Sequence, residues 1–316
     1  MSYRVGIDLG GTNIVAGVVD NDYNIIAKAE CKTNVPRPEA DVCDSMAAVV
    51  KEAVKKAKLK MEDIDYIGIG VPGAVNPETR IIETSPNLFF KNWEIAKMME
   101  ERLNKYTKVE NDANAAALGE FLAGSAKGSK NAIAITLGTG VGGGIIIDGK
   151  IYSGSNYAGA ELGHMVIVKD GRECGCGRKG CWEAYASATA LINMTKEAIR
   201  NEKAEFSYML NSVGDDIDNV NGKTAFDAQQ AGDNTGAEVI NQYIGYLATG
   251  LINVINIFQP DVLCIGGGIA NQGENLLGPL RTIIEQERFT KYNDKQTKVC
   301  IASLGNDAGI IGAACL

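Results

Sequence analysis

Histidine is almost missing from this chain: His164 is the only one among 316 residues, so any role for an imidazole falls on it. Long apolar runs are missing too. None approaches the ~20 residues that a membrane-spanning helix needs. No basic run stands out, and with a net charge of −8 this argues against nucleic acid and anionic membranes as partners. The amino terminus, MSYRVGIDLGG, lacks the charged and apolar regions of a signal peptide and enters a strand at once,. The expectation is a cytoplasmic protein with no room for a helix-turn-helix ahead of its first strand. Five of the eight cysteines (Cys31, Cys43, Cys264, Cys300 and Cys315) are scattered, and in a reducing compartment they read as free thiols.

The other three cysteines are not scattered. Cys174, Cys176 and Cys181 follow His164 within a short stretch rich in glycine and charge. One imidazole and three thiolates make a complete tetrahedral zinc set. The alternatives are buried small side chains or redox thiols, and glycine and charge make the segment a poor piece of core. With all four ligands from protein, the site reads as closed and structural. Glu161 and Glu183 flank the set, which suggests a metal knuckle that positions carboxylates.

The length is enough for two ordinary domains. Alternating and continuous apolar runs predict strands over 3–8, 13–20, 23–32, 64–71 and 107–110, helices over 44–58 and 92–105, and an Ala-rich helix that follows residues 110–114 and runs to about 123,. This is an α/β order. The pattern then restarts: residues 131–151 repeat the strand, Gly/Thr turn and strand of residues 5–20, after a linker at 125–130. A duplicated α/β unit implies two similar domains facing a cleft. Further on, helices are expected over 182–200, 236–258, 274–287 and from Asp307 to the end, with strands over 261–265 and 297–303. Gly245 and Gly250 interrupt the long helix, and close helix packing would justify them. Residues 201–235 are weakly patterned and suggest no function.

Gly138, Gly140 and Gly143 match the spacing of a dinucleotide fingerprint, but they lead into GIIIDGKI (144–151), which reads as a strand rather than a helix. That argues against a dinucleotide site. The loop at Gly10, Gly11 and Thr12 also leads into a strand. Two matched loops, each with bare amides and a hydroxyl (Thr12, Thr139), favour phosphate cradling over ordinary hairpins. Asp8 precedes the first loop at a strand end, where it would hold Mg2+ directly or through water. A triple glycine at 266–268 lies at a strand-to-helix junction, as either a turn or a close approach to a nucleotide. Asp112 sits where a strand hands over to a helix, a position that suits a ligand site and equally a helix cap. A helix amino terminus is expected to lower its pKa, leaving a weak base, which phosphoryl transfer tolerates. Asn111 offers a donor and an acceptor for a sugar hydroxyl.

Taken in order, the motifs DLGGTN (8–13), GVPG (70–73), PNL (86–88), ENDANAA (110–116), LGTGVGGG (137–144), GAELGH (159–164), CGCGRKGCWE (174–183) and IGGG (265–268) resemble those of the ROK sugar kinases, and most of all their bacterial glucokinases. The resemblance runs the length of the chain. It implies a two-domain actin-like (ribonuclease H-like) ATPase fold: residues 1–122 with a returning C-terminal helix at 303–316, and a larger domain at 123–302 carrying the zinc knuckle. It implies transfer of phosphate from ATP to the 6-hydroxyl of a hexose, with Asp112 as the catalytic base. Asn87, Asn111, Asp112, Glu161, His164 and Glu183 match the sugar-contacting set. Asp8, Gly10, Gly11, Thr12, Gly138, Thr139, Gly140 and Gly267 fall in the nucleotide motifs, and His164, Cys174, Cys176 and Cys181 match the zinc ligands. The implied small molecules are glucose, ATP with Mg2+, and structural Zn2+; the implied assembly is a homodimer or dimer of dimers. A sister kinase for fructose, mannose, N-acetylmannosamine or N-acetylglucosamine is the alternative. A sugar-sensing regulator is disfavoured by the acidic charge and by a first strand that begins near residue 3.

Overall fold

A computed structural model describes residues 2–201 and 207–316. The chain falls into two compact units. The first comprises Met1–Ala134, Gly143–Ala160 and Ala302–Leu316, and the second Ile135–Gly142 and Glu161–Ile301.

In the first unit the chain runs β1 (Tyr3–Leu9), β2 (Asn13–Val19), β3 (Ile25–Lys32), α1 (Glu39–Lys56), β4 (Ile64–Val71), β5 (Ala74–Asn76), β6 (Ile81–Ser85), β7 (Phe90–Trp93), α2 (Ile95–Leu103), β8 (Thr107–Asn111) and α3 (Asp112–Leu122). The main sheet has the order β3-β2-β1-β4-β8. Its first three strands are antiparallel, and β4 and β8 run parallel to β1. Val5, Ile7 and Leu9 of β1 alternate inward with Ile14, Ala16 and Val18 of β2. They bury against Val42, Met46, Val50 and Ala53 of α1 and Met99 of α2, as the two-residue period of a strand requires.

The opposite face of this sheet carries Gly6 and Asp8. It is covered by the last helix of the chain, which the small residues let approach very closely. A Cβ on Gly68 would sit 1.7 Å from the carbonyl oxygen of Ala313, and one on Gly312 would sit 1.6 Å from that of Ala115. No other residue fits at either position.

The chain continues through β9 (Ala132–Leu137), β10 (Val141–Ile147), β11 (Lys150–Ile151), α4 (Glu183–Ala186), α5 (Ala188–Asn201), α6 (Tyr208–Ser212), α7 (Thr224–Gln230), α8 (Asn234–Phe258), β12 (Val262–Gly266), α9 (Glu274–Glu287), β13 (Lys298–Ile301) and α10 (Ala308–Ala314). A second five-stranded sheet has the order β11-β10-β9-β12-β13. Trp182, Phe226 and Tyr243 are the largest wholly buried side chains of the second unit. Among the described residues, no helix is long and apolar enough to cross a membrane.

Several elements depart from the sequence expectation. Helix α1 begins at Glu39 rather than 44, with Pro38 at its cap and Glu39 and Asp41 in its first turn, all favourable helix-start residues. The helix expected from 92 begins at Ile95, because Phe90–Trp93 pairs instead as the third strand of a small sheet, β5-β6-β7. The helix expected over 182–200 is broken at Ser187, whose backbone is extended (ψ 165°). The Ser187 hydroxyl accepts the amide of Ala190 at 3.0 Å, starting α5 afresh. Helices α6 and α7 lie in the stretch left unpatterned, and residues 202–206 of that stretch lie outside the described residues. Close packing accounts for Gly250, where a Cβ would meet the Trp182 ring at 2.0 Å, but not for Gly245, which faces open space.

Candidate active site

The first unit assembles one group of candidate residues at the carboxyl ends of β1, β4 and β8. The turn after β1 is closed by the Gly10 amide donating to the Asn13 carbonyl at 2.9 Å. Buried Thr33 fixes it from outside: its hydroxyl donates to the Gly10 carbonyl at 2.7 Å and its amide to the Thr12 carbonyl at 2.9 Å. Gly11 and Thr12 remain exposed. A cavity of about 740 Å³ opens beside this turn, lined by Asp8, Gly10, Thr12, Lys28 and Asp307 among others. Asn87 is exposed, and its carbonyl oxygen lies 3.7 Å from where a Cβ on Gly11 would stand.

At the end of β8 the expected cap is shifted by one residue. Asn111, not Asp112, caps α3: its Oδ1 accepts the amides of Ala113 at 2.9 Å and Asn114 at 3.1 Å. Its Nδ2 donates to the Gly73 carbonyl at 3.1 Å. Asp112 is the first residue of the helix, and its Oδ1 shares the Ala113 amide, accepting it at 2.8 Å.

The expectation of a lowered pKa is also reversed. Burial pushes the Asp112 carboxyl up, and this outweighs the Ala113 amide that pulls it down,. Asp8 is pushed up to about 6, first by burial and then by the charge of Asp112. Behind Asn111, Glu110 is 6% exposed. Burial raises its pKa against the hydrogen bonds from Asn114 and Asn111. Nothing local in the sequence separates this third carboxylate from an ordinary strand residue.

The second unit holds the other group. In the turn between β9 and β10 the Gly138 amide donates to the Gly140 carbonyl at 3.0 Å. The Ala188 amide donates to the Gly138 carbonyl at 2.9 Å, and the Thr189 hydroxyl to the Thr139 carbonyl at 2.8 Å. The break at Ser187 is what frees the Ala188 amide for this. Gly267, in a left-handed conformation (φ 89°), is packed so that a Cβ would lie 2.3 Å from the Leu137 carbonyl oxygen. Glu183 reaches the same turn, with Oε2 accepting the Val141 amide at 3.0 Å.

His164, Cys174, Cys176 and Cys181 bring one donor atom each to within 4.8 Å of one another. His164 Nδ1 lies 3.6 Å from Cys174 Sγ, and Cys176 Sγ lies 3.7 Å from Cys181 Sγ. Tetrahedral zinc, with ~2.3 Å bonds to sulfur and ~2.0–2.1 Å bonds to nitrogen, sets its ligand atoms roughly 3.5–3.8 Å apart. The donor set therefore fits that ion. The sulfurs are much farther apart than the ~2.0 Å of a disulfide, and all three cysteines are free. The Cys176 thiol is held low by the backbone amide of Arg178, while burial pushes Cys174 up to about 12. A bound divalent cation would deprotonate both. His164 presents its other nitrogen, Nε2, towards Glu161 Oε2 at 3.9 Å.

Thus Asp8, Gly10, Gly11, Thr12, Asn87, Asn111 and Asp112 belong to the first unit. Gly138, Thr139, Gly140, Gly267, Glu161, His164, Glu183 and the three cysteines belong to the second. Sequence reasoning passed over Ala188 and Thr189, which hold the second turn.

Comparison with known proteins gives this arrangement a family. Residues 4–316 match the ROK family. A glucokinase from Streptomyces coelicolor is 37% identical over 315 residues, 99% of this chain and 97% of that protein. A solved ROK family glucokinase from Streptomyces griseus, in complex with glucose and AMPPNP, matches with a TM-score of 0.84 at 33% identity, covering 99% of this chain and 98% of that one. A xylose repressor from Caldicellulosiruptor bescii is 30% identical over 317 residues, 98% of this chain and 76% of that protein. The α/β architecture is accordingly the actin-like ATPase fold, and the chain belongs to the ROK family.

Proposed function

We propose that this protein is an ATP-dependent sugar kinase that phosphorylates glucose at its 6-hydroxyl. The observation that carries the reading is Asp112: a carboxylate directly after a parallel strand, made more basic by burial, with the helix cap supplied by its neighbour Asn111. Identity to glucokinases supports the substrate class.

In this reading Asp112 accepts the hydroxyl proton as the sugar oxygen attacks the γ-phosphorus in line. Such help is worth about 10²–10⁴-fold, and its raised pKa brings the base closer to its task. Asn87, Asn111, Glu161, Glu183 and His164 Nε2 pair with the sugar hydroxyls, and a site built of such partners rejects analogues that lack them. The amides and hydroxyls of the Gly10–Thr12 and Gly138–Gly140 turns, with Gly267, receive the nucleotide. Asp8 would hold Mg2+, which neutralises phosphate charge. His164 Nδ1 and the three thiolates would hold zinc, folding the segment that carries Glu161 and Glu183.

The test is a coupled assay of wild type and Asp112→Asn over glucose, fructose, mannose, N-acetylmannosamine and N-acetylglucosamine. Wild type is expected to show its highest kcat/KM with glucose. The variant is expected to lose at least about 100-fold in kcat while binding sugar normally. Near-normal turnover by a folded Asp112→Asn would remove Asp112 from the mechanism, and a higher kcat/KM with another sugar would reassign the substrate.

A further inference from the structure

The zinc-ligand segment and the turn after β9 share more than a sequence neighbourhood. The two carboxylate oxygens of Glu183 are divided between them. Oε2 accepts the Val141 amide at 3.0 Å, and Oε1 lies 3.7 Å from Cys174 Sγ. The Oε2 end of the carboxylate abuts the turn, since a Cβ on Gly140 would come within 2.1 Å of it. The other limb of the segment closes on the same peptide: a Cβ on Gly163 would sit 2.2 Å from the Val141 carbonyl oxygen. Val141 is thus gripped at its amide by Glu183 and at its carbonyl by the Gly163 backbone.

Glu183 is itself rigidly placed. Beside it Trp182 is wholly buried, donating its indole N–H to the Tyr246 carbonyl at 3.1 Å. At the end of α4 the Tyr243 hydroxyl donates to the Ala186 carbonyl at 2.8 Å. The chain then runs straight into Ala188 and Thr189, which hold Gly138 and Thr139.

We infer that Glu183 is a positioning residue for the nucleotide turn, through which the metal-folded segment sets the shape of Gly138–Val141 and hence nucleotide affinity, independently of sugar. A turn that binds phosphate with bare amides works only while those amides point one way. Here the bond that fixes them comes from a side chain two residues past Cys181 and 3.7 Å from Cys174 Sγ. The inference rests on the proposed reading of Gly138–Gly140 as a phosphate-binding turn. It gives Glu183 a second role beside the sugar contact.

The experiment is calorimetric titration of Mg2+–AMPPNP into sugar-free protein, with zinc measured by elemental analysis. It compares wild type, Glu183→Ala and Glu183→Gln, each before and after zinc removal by a chelator. The amide oxygen of Glu183→Gln still accepts from Val141, so this variant is expected to bind nucleotide within about twofold of wild type. Glu183→Ala is expected to bind about tenfold more weakly, the loss of one charge-assisted hydrogen bond. Zinc removal should weaken wild type to a similar degree and add little to Glu183→Ala, because both break one linkage. Unchanged binding by Glu183→Ala, or losses that add fully on zinc removal, overturns the inference. If wild type itself binds no AMPPNP, the phosphate-turn reading fails instead.

Discussion

Asp8, one residue before the end of β1, and Asp112, directly after β8, lie at the ends of two strands of one sheet, and their chemistry is set by what surrounds them rather than by what flanks them. The place of Asp112 was legible because a strand–helix junction is local. Its ionisation was not. A helix start argues for a lowered pKa, but burial dominates, and burial is a property of the folded neighbourhood. For Asp8 part of the cause is the charge of Asp112, far along the chain. The shift at Asp8 carries a stability prediction whose sign is fixed. Its carboxyl rises from 3.8 in the open chain to about 6 in the fold. The folded state therefore holds the proton more tightly, and this contribution is full below about pH 4 and lost as pH rises through 6. The size is about 3 kcal/mol, at ~1.4 kcal/mol per pH unit. Urea unfolding of the ligand-free protein at pH 4.5 and 7.5 should show Asp8→Asn losing less stability over this interval than wild type. Parallel pH profiles for the two proteins would show that Asp8 is not the group responsible.

At the scale of elements, the start of the C-terminal segment, Ser303 and Leu304, is tied to α3 by one buried carboxylate. Glu120, 2% exposed, closes the last turn of that helix. Its Oε2 accepts the amide and hydroxyl of Ser125 at 2.8 and 2.9 Å and those of Ser303 at 3.1 and 3.3 Å, and its Oε1 accepts the Leu304 amide at 2.7 Å. A negative charge at a helix carboxyl terminus is unfavourable by itself, so these bonds must outweigh it. Glu120→Ala would leave the donors of exposed Ser303 and half-buried Leu304 without the carboxylate. It should cost about 1–3 kcal/mol in denaturant unfolding, and a loss well under about 1 kcal/mol would mean that water replaces the carboxylate. None of this was visible in the sequence, where Glu120 reads as one more polar helix residue. What was visible were elements with a full period to display: β4 at 64–71 and α9 at 274–287 match expectation at both ends, and α8 misses by two residues at one end. The strands β5 to β7, of three to five residues each, are too short to show alternation, and α6 and α7 too short to show a stripe.

For the molecule as a whole, the duplicated strand-turn-strand figure was legible because a repeat announces itself. The composition of the two units was less so: the resemblance, not the residues themselves, implied the return of 303–316 to the amino-terminal domain, and in the structure residues 143–160 and 302–316 fall in one unit with Met1–Ala134. Each unit carries one of the chain's two tryptophans, Trp93 in the first and Trp182 in the second, and both are wholly buried. They offer a way to ask what the proposed zinc stabilises. Trp182 directly follows Cys181, one of the proposed ligands, and its amide donates to the Met165 carbonyl at 2.8 Å. Trp93 packs instead with Phe90, ring centroids 4.5 Å apart, in the small sheet. A structural zinc ion contributes its binding energy directly to folding. Elemental analysis should find about one zinc per chain, and chelation should lower the thermal transition seen by Trp182 in a Trp93→Phe background. The expected shift is about 5 °C or more, what roughly 2 kcal/mol gives a domain of this size. The transition reported by Trp93 in a Trp182→Phe background should move less. Equal shifts would mean that the metal supports the whole molecule rather than the unit that binds it, and no shift in either would mean that the four donors hold their places without an ion.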